Sequence, residues 1–369
     1  MKFTINRLKL LNALNKTTKA VSIRTPLPVL TGIKFDLQSD CLILTGSDSD
    51  ITIQTKIDKN EDLNIDETGG VVLNSRFILD IVRKIDNDDI TFETLEHSLT
   101  RISGGTSKFD LNGNDILDYP RIDLSKSGSN FFISSFILKD LITQTKFAAS
   151  EKEHKPILTG INFKAGNGQL EATATDSYRL AKKVAPLNNS ITFNITIPQK
   201  SLDEISKIIE KDEEIEIYVS DRKVLYVFDN NIIQTRLIDG TFPDTNRLIP
   251  ESYDYELDID AHYLLNAIDR VSLLNNEQNN IIKLDMSDEE VILSSYMQEI
   301  GSVEEKLDRS FFKGESLSIS FSSKYATDAL RSFSEPKVKL LFTGPMKPFI
   351  IKDYEKDDLI QLVLPVRTY

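Results

Sequence analysis

The residues best equipped for chemistry are gathered in one octapeptide, Ala174-Thr175-Asp176-Ser177-Tyr178-Arg179-Leu180-Ala181. It combines a carboxylate, hydroxyls, a phenol, a guanidinium and an apolar anchor, a mixture that suits either an active site or a recognition surface. Elsewhere the chain offers little to a catalytic reading. Gly104-Gly105-Thr106-Ser107-Lys108 lacks the spacing of a phosphate-binding loop and reads as a hairpin turn. Ser334-Glu335-Pro336-Lys337 has the S-x-x-K spacing of a serine acylase, but its Pro argues against a helix and no companion motif appears. Asp48-Ser49-Asp50 lacks the Gly and terminal Glu of a calcium loop. Three scattered histidines and the single Cys41 leave no zinc site and no internal disulfide. No enzyme activity, cofactor or metal is expected.

The elements that must position the octapeptide form a repeat. Asp48 and Asp176 stand 128 residues apart, and Leu30-Thr31-Gly32-Ile33-x-Phe35 and Leu158-Thr159-Gly160-Ile161-x-Phe163 keep the same offset. Around each copy the pattern predicts a strand (Lys2 to Ile5; Phe131 to Ile133), a helix (Arg7 to Ser22; Ser135 to Ala149), a Pro-containing turn and further strands. A second half follows in each, with helices predicted at Ser75 to Ile85 and Lys200 to Glu210 among β-branched and aromatic strands. A third, weaker copy begins near Tyr253, with helices at Ala261 to Leu274 and Ser323 to Phe333 and a last strand from Leu359 to Pro365. Polar, turn-forming segments at Lys126-Ser127-Gly128-Ser129 and Pro250-Glu251-Ser252 mark boundaries, so the domains are expected at 1–127, 128–252 and 253–369. The fold class is α+β: three domains, each a doubled strand–helix–sheet unit.

A chain of 369 residues is long enough for two or three domains, and 40% apolar with 27% charged residues is a globular composition. No apolar run approaches the roughly 20 residues of a membrane span, and no apolar signal-peptide core follows Met1, so a cytoplasmic protein with no membrane partner is expected. The net charge of −13 argues against phosphate binding only on average. The first helix has Lys9, Asn12, Lys16 and Lys19 on one side, Leu10, Leu14, Thr17 and Val21 on the other, and no carboxylate. Its counterpart sets Lys139, Thr143, Lys146 and Ser150 against Leu138, Leu141, Ile142, Thr145 and Ala149. The third copy, with Asp260 and Asp269 against Arg270, breaks the pattern. These faces read either as solvated surface or as cationic tracks.

Six segments in order resemble one family, the bacterial sliding clamp or β subunit of the replicative DNA polymerase. They are Met1-Lys2-Phe3-Thr4, Arg24-x-Pro26-Leu27-Pro28-Val29-Leu30, Thr175 to Ala181, Asp239-Gly240-x-Phe242-Pro243-Asp244, Leu274-Asn275-Asn276-Glu277 and Leu364-Pro365-Val366-Arg367. The resemblance covers the whole chain. It implies three clamp-type domains in a head-to-tail dimeric ring, helices inside and sheets outside, that encircles duplex DNA without sequence preference and serves as processivity factor.

The resemblance also implies sites. DNA-facing positions would be Arg24, Lys9, Lys16, Lys19, Lys139 and Lys146, with Lys152 and Lys155 interleaved by Glu151 and Glu153; Arg76 and Lys200 stay open between DNA and solvent. The dimer contact would set Lys108, Phe109 and Leu111 against Leu273, Leu274, Glu304 and Glu305. A pocket between domains two and three would take Gln/Leu/Phe peptides from polymerase, clamp loader and repair proteins. Its lining would be Leu158, Thr175, Ser177, Tyr178, Arg179 and Leu180, then Pro243, Arg247 and Leu248. The third domain would add Met346, Pro348, Leu362, Leu364, Pro365, Val366 and Arg367. Tyr178, where other members carry His, and the ending Thr368-Tyr369 depart from the pattern and bear on peptide preference. The rival reading is a repeat-built interaction scaffold that never encloses DNA.

Overall fold

The computed structural model describes every residue except Glu153, Asn189, 276–279, 368 and 369. Glu153, Asn276, Glu277 and the Thr368-Tyr369 ending, all singled out in the sequence, therefore lie outside the described residues. Helices are few and short: α1 Arg7–Thr17, α2 Ser75–Lys84, α3 Ser135–Thr143, α4 Gln199–Ile208, α5 Ala261–Val271 and α6 Ser323–Leu330. Their starts are set by side-chain caps. Asn6, Asn74, Asp260 and Ser322 each accept a backbone N–H from the first turn that follows.

Several helices stop before the sequence pattern does, α6 among them at Leu330 rather than Phe333. α1 and α5 tighten into 310 turns at Thr18–Ala20 and Ser272–Leu274, and α3 ends at Thr143 rather than Ala149. At the end of α3 the Thr143 hydroxyl, and just beyond it that of Thr145, donate back to the carbonyls of Lys139 and Leu141, at 2.8 and 2.5 Å, and a 310 turn, Lys146–Ala148, takes over.

Two compact units are built, Met1–Phe136 with Lys200–Leu237, and Ile137–Gln199 with Ile238–Tyr369. The first holds a five-stranded sheet in the order Leu63–Glu67, Lys2–Asn6, Asp89–Thr94, Leu99–Gly104, Ser107–Asn112. Its eight-stranded sheet runs Ser129–Ser134, Glu214–Val219, Lys223–Phe228, Asn231–Arg236, Ile51–Asp58, Cys41–Ser47, Gly32–Leu37, Gly69–Asn74. Phe3, Leu10, Leu14, Phe35 and Phe92 centre its core, with the Phe3 and Phe92 rings stacked at 4.8 Å.

The second unit has a nine-stranded sheet: Phe193–Pro198, Gly160–Gly166, Gln169–Thr175, Arg179–Pro186, Leu359–Val363, Phe349–Asp353, Lys337–Phe342, Tyr255–Asp260, Ser310–Lys313. Its four-stranded sheet runs Gly301–Lys306, Val291–Met297, Ile281–Met286, Leu317–Ser322. Leu264, Ile268, Phe321, Phe342 and Phe349 lie at the centre of its core.

The repeat persists to the level of single hydrogen bonds. Pro28–Thr31 and Pro156–Thr159 both form 310 turns closed by a Thr hydroxyl donating to the Pro carbonyl, at 2.8 and 2.7 Å. The strands that follow, Gly32–Leu37 and Gly160–Gly166, therefore begin at the glycine of each Leu-Thr-Gly segment. The two large sheets also cross from one copy to the next in the same register. Ile51 faces Thr235 and Thr55 faces Asn231, while 128 residues later Arg179 faces Val363 and Lys183 faces Leu359.

Candidate docking site

The octapeptide folds as a rigid turn between the strands Gln169–Thr175 and Arg179–Pro186. The Thr175 hydroxyl donates to the Arg179 carbonyl at 2.6 Å and accepts from the Ser177 N–H at 3.2 Å. One oxygen of Asp176 accepts the N–H groups of Tyr178 and Arg179 at 2.9 and 3.0 Å, and Ser177 takes a left-handed φ of +79°. The earlier copy repeats every part. Ser47 and Asp48 make the corresponding bonds to Ser49, Asp50 and Ile51, and Ser49 has φ +81°. What differs is the cargo: Asp50 and Ile51 in one copy, Tyr178 and Arg179 in the other.

Arg179 is enclosed. Its side chain is 10% exposed, with Nε 3.0 Å from Asp176 and Nη1 2.6 Å from Asp328. The guanidinium also lies 4.7 Å from the Tyr325 ring centroid and 5.5 Å from that of Phe147. Tyr325 stacks in turn on Tyr178, centroids 6.5 Å apart, and Tyr178 leaves 57% of its surface open. Burial, with the Asp176 carboxylate as a smaller contribution, pushes the Tyr325 phenol above its ordinary range.

Around this turn the structure assembles most of the expected lining. Leu180 pairs with Leu362, and both belong to a buried cluster with Leu341 and Ile350 that carries Ile249 and Tyr253 against it. Leu364 donates its N–H to the Tyr178 carbonyl at 3.0 Å, Val366 donates to Ser320, and Pro365 bridges to Phe321. Pairing of Phe349 with Val363 brings Pro348 beside Leu364. Met346 is exposed. Pro243 and Leu248 flank Asn246, whose side chain accepts from Lys182 at 2.9 Å on the neighbouring strand. Arg247 is 88% exposed and ion-paired with Asp244 at 3.5 Å, and Arg367 is exposed. Leu158 is buried and, among the described residues, is joined by its carbonyl to Ser150 rather than to the turn.

Thus Leu180 and Leu362 are buried, Tyr178 and Met346 are accessible apolar surface, and Arg179 is enclosed. The protein's own carboxylates, Asp176 and Asp328, already hold the Arg179 guanidinium. Phe147, Tyr325, Asp328, Leu341 and Ile350 were not expected. The spacing of Tyr325 and Asp328, three apart on α6, is the one signal that places them on a common face.

The remaining expected residues divide between the units. In the first, Phe109 pairs with Ile102 on the edge strand Ser107–Asn112 and is itself exposed, while Leu111 packs on the core. Lys108 points outward beside Asp110, which is bridged to Arg101 at 2.9 Å. Arg101 holds the Asp110 carboxyl below its ordinary range. In the second, Glu305 is held by Arg270, at 2.9 Å from its Nε, so only Glu304 stands open; Leu273 is exposed and Leu274 half-buried.

Arg24 and Lys152 occupy one repeated turn, each donating its N–H to a Ser hydroxyl at 3.1 Å, and Lys155 is exposed. On α1, Leu10, Ala13, Leu14 and Thr17 are buried while Lys9 and Asn12 are exposed and Lys16 half-buried, as is Lys19 in the 310 turn that follows. Lys139 and Lys146 are also half-buried. Lys9 lies 3.3 Å from Asp62. A cleft of about 760 Å³ beside α1 carries Lys9, Lys16, Lys56 and Lys211 together with Asp58, Glu210, Glu213 and Asp229, so its charges balance.

Fold and repeat together define a scaffold assembled from copies of one helix-and-sheet unit. Family profiles for the N-terminal, central and C-terminal domains of the DNA polymerase III beta subunit match residues 1–123, 133–244 and 246–367. The chain belongs to this family, the beta sliding clamps, which are non-catalytic processivity factors. It is 44% identical over 376 residues to a Staphylococcus aureus beta sliding clamp, covering 100% of both chains. The DNA polymerase sliding clamp of Bacillus subtilis matches over 100% of both chains at 40% identity and a TM-score of 0.95. A Bartonella birtlesii sliding clamp solved bound to griselimycin matches over 100% of both chains at 26% identity and a TM-score of 0.94.

Proposed function

We propose that two copies of this chain close head to tail around duplex DNA, and that the face around Tyr178 docks short peptides of the replicative polymerase, the clamp loader and repair proteins. The three domains are assigned to 1–127, 128–252 and 253–369, and the protein works in the cytoplasm with the chromosome it serves. The griselimycin-bound relative supports a peptide-binding site on this fold.

The observation that carries the ring is a pair of bare sheet edges. Ser107–Asn112 ends the five-stranded sheet and Gly301–Lys306 ends the four-stranded one. Each is a copy of a strand that is paired elsewhere. The hairpin pair Gly104–Ser107 corresponds to Phe228–Asn231, a shift of 124, so Ser107 to Leu111 matches Asn231 to Thr235. Following the other sheet strand by strand, Gly301 to Glu305 matches Ile51 to Thr55, a shift of 250. Because Asn231 to Thr235 pairs with Ile51 to Thr55 within the chain, the bare edges are complementary by descent. Transferring that register sets Phe109 opposite Val303 on the core face, Lys108 opposite Glu304 on the outer face and Leu111 opposite Gly301 of a second copy. Identical head-to-tail contacts that close leave no free edge at this seam.

A ring holds DNA topologically, so it needs only weak backbone contacts. The mixed charges near α1 suit that requirement. Lys108→Glu should shift the dimer toward monomer by about tenfold in dissociation constant, and adding Glu304→Lys should restore it, read as mass by light scattering. The loaded protein should stay on nicked circular DNA and leave once the circle is cut. Equal retention on circles and linear fragments would establish the open scaffold instead.

A further inference from the structure

Asp328, on α6, makes no part of the expected peptide lining, yet it faces the one guanidinium of the docking turn. We propose that Asp328 is a positioning residue for peptide docking, acting through Arg179; this rests on the docking reading above. The geometry has three parts. Arg179 bridges two carboxylates, Asp176 in its own turn and Asp328 on α6, and is flanked by the rings of Phe147 and Tyr325. Tyr325 lies three residues before Asp328 on the same helix, so one helix face delivers both the anion and the ring. Tyr325 then stacks on Tyr178, the exposed apolar wall of the site. The chain of contact therefore runs from Asp328 through Arg179 to the turn, and from α6 through Tyr325 to Tyr178.

Two charge-assisted contacts on a guanidinium only 10% exposed fix its plane as well as its charge. Without the second carboxylate Arg179 keeps only Asp176, and the Tyr325–Tyr178 wall loses the flat cation beneath it. A ligand must then order that wall as it binds. The peptide meets Tyr178; Asp328 sets where Tyr178 stands.

The test is a four-cornered cycle on the full-length protein: wild type, Asp328→Asn, Arg179→Gln and the double variant, titrated calorimetrically with a Gln-Leu-Ala-Leu-Phe peptide. Asp328→Asn should weaken binding about tenfold, Arg179→Gln by a similar factor, and the double variant no further than either. Asp328→Glu should recover most of the affinity, and dimer mass should stay unchanged in all four. Merely structural damage would instead give additive losses and no rescue by Glu. Unchanged affinity in Asp328→Asn, or additive losses, overturns the proposal while leaving the docking reading intact. Failure of the wild type to bind the peptide removes the docking reading and this inference with it.

Discussion

Ser177 and Ser49 both occupy the left-handed region, at φ +79° and +81°, where an L side chain crowds its own carbonyl. Each is held there by an Asp carboxylate that accepts two N–H groups and by a hydroxyl two residues earlier. Glycine would occupy the same backbone without strain, whereas a β-branched residue would not. Ser177→Gly should therefore leave thermal stability within ~0.5 kcal/mol of wild type, and Ser177→Val should cost about 1–2 kcal/mol. Thermal unfolding followed by circular dichroism decides it; equal stability of the two variants would mean the turn is relaxed. The Asp at a fixed offset of 128 was visible in the sequence, but the hydrogen-bond frame behind it was not. Asp-Ser pairs are common on surfaces, and only the folded turn shows that both serve one geometry.

At the scale of elements, hydrophobic periodicity located all six helices of the described residues, because an amphipathic stripe is written into local spacing. It overran the ends of α1, α3 and α5, where Thr side chains compete for backbone carbonyls or the last turn tightens to 310. The strand Leu63–Glu67 escaped notice because it is short, with Leu63 its single buried residue among Asn, Asp and Glu. Ladder chemistry escaped for a different reason: it joins residues far apart in the chain. Glu256 and Lys339 meet at 2.5 Å across adjacent strands, and Lys339 holds the Glu256 carboxyl below its ordinary 4.5. Its neighbour Asp258 is driven the other way, chiefly by burial, and one of its oxygens lacks a partner. The signs follow from proton linkage. The Glu256 contribution is full above its unfolded value and fades as pH falls through the lowered folded one. The Asp258 contribution belongs to the protonated form and is lost as pH rises through its raised value. Near neutrality Glu256→Gln should lower Tm and Asp258→Asn should raise it. Below pH ~4.5 both differences should shrink. Thermal scans across pH check this, and a gap that stays constant for either variant would mean its carboxyl does not titrate with folding.

For the whole molecule, the repeat predicts more of the dimer seam than its two edge strands. Within the chain, the crossing between the second and third copies sets a turn residue over a helix residue, Tyr178 on Tyr325. Tyr325 is the residue whose N–H is capped by Ser322; the same place on α2 is Phe77, capped by Asn74. Tyr178 precedes Arg179, which matches Ile51 across the 128-residue offset and hence Gly301, so its counterpart in the third copy is Ile300. Phe77 and Ile300 are 56% and 62% exposed, apolar surface that a lone chain leaves in water. In the proposed dimer they meet, one from each chain, as a closed version of the docking pocket. Neither residue stood out in the sequence, since a lone Phe on a helix and an Ile in a hairpin turn are ordinary until the three copies are laid over one another. Phe77→Ala and Ile300→Ala should each weaken the dimer by roughly tenfold, about 1–2 kcal/mol, with the double variant losing less than the sum. Sedimentation equilibrium at several loading concentrations reads the change directly. Dissociation constants equal to wild type would show that the third copy does not follow the seam geometry of the first two, and would return the interface to its edge strands alone.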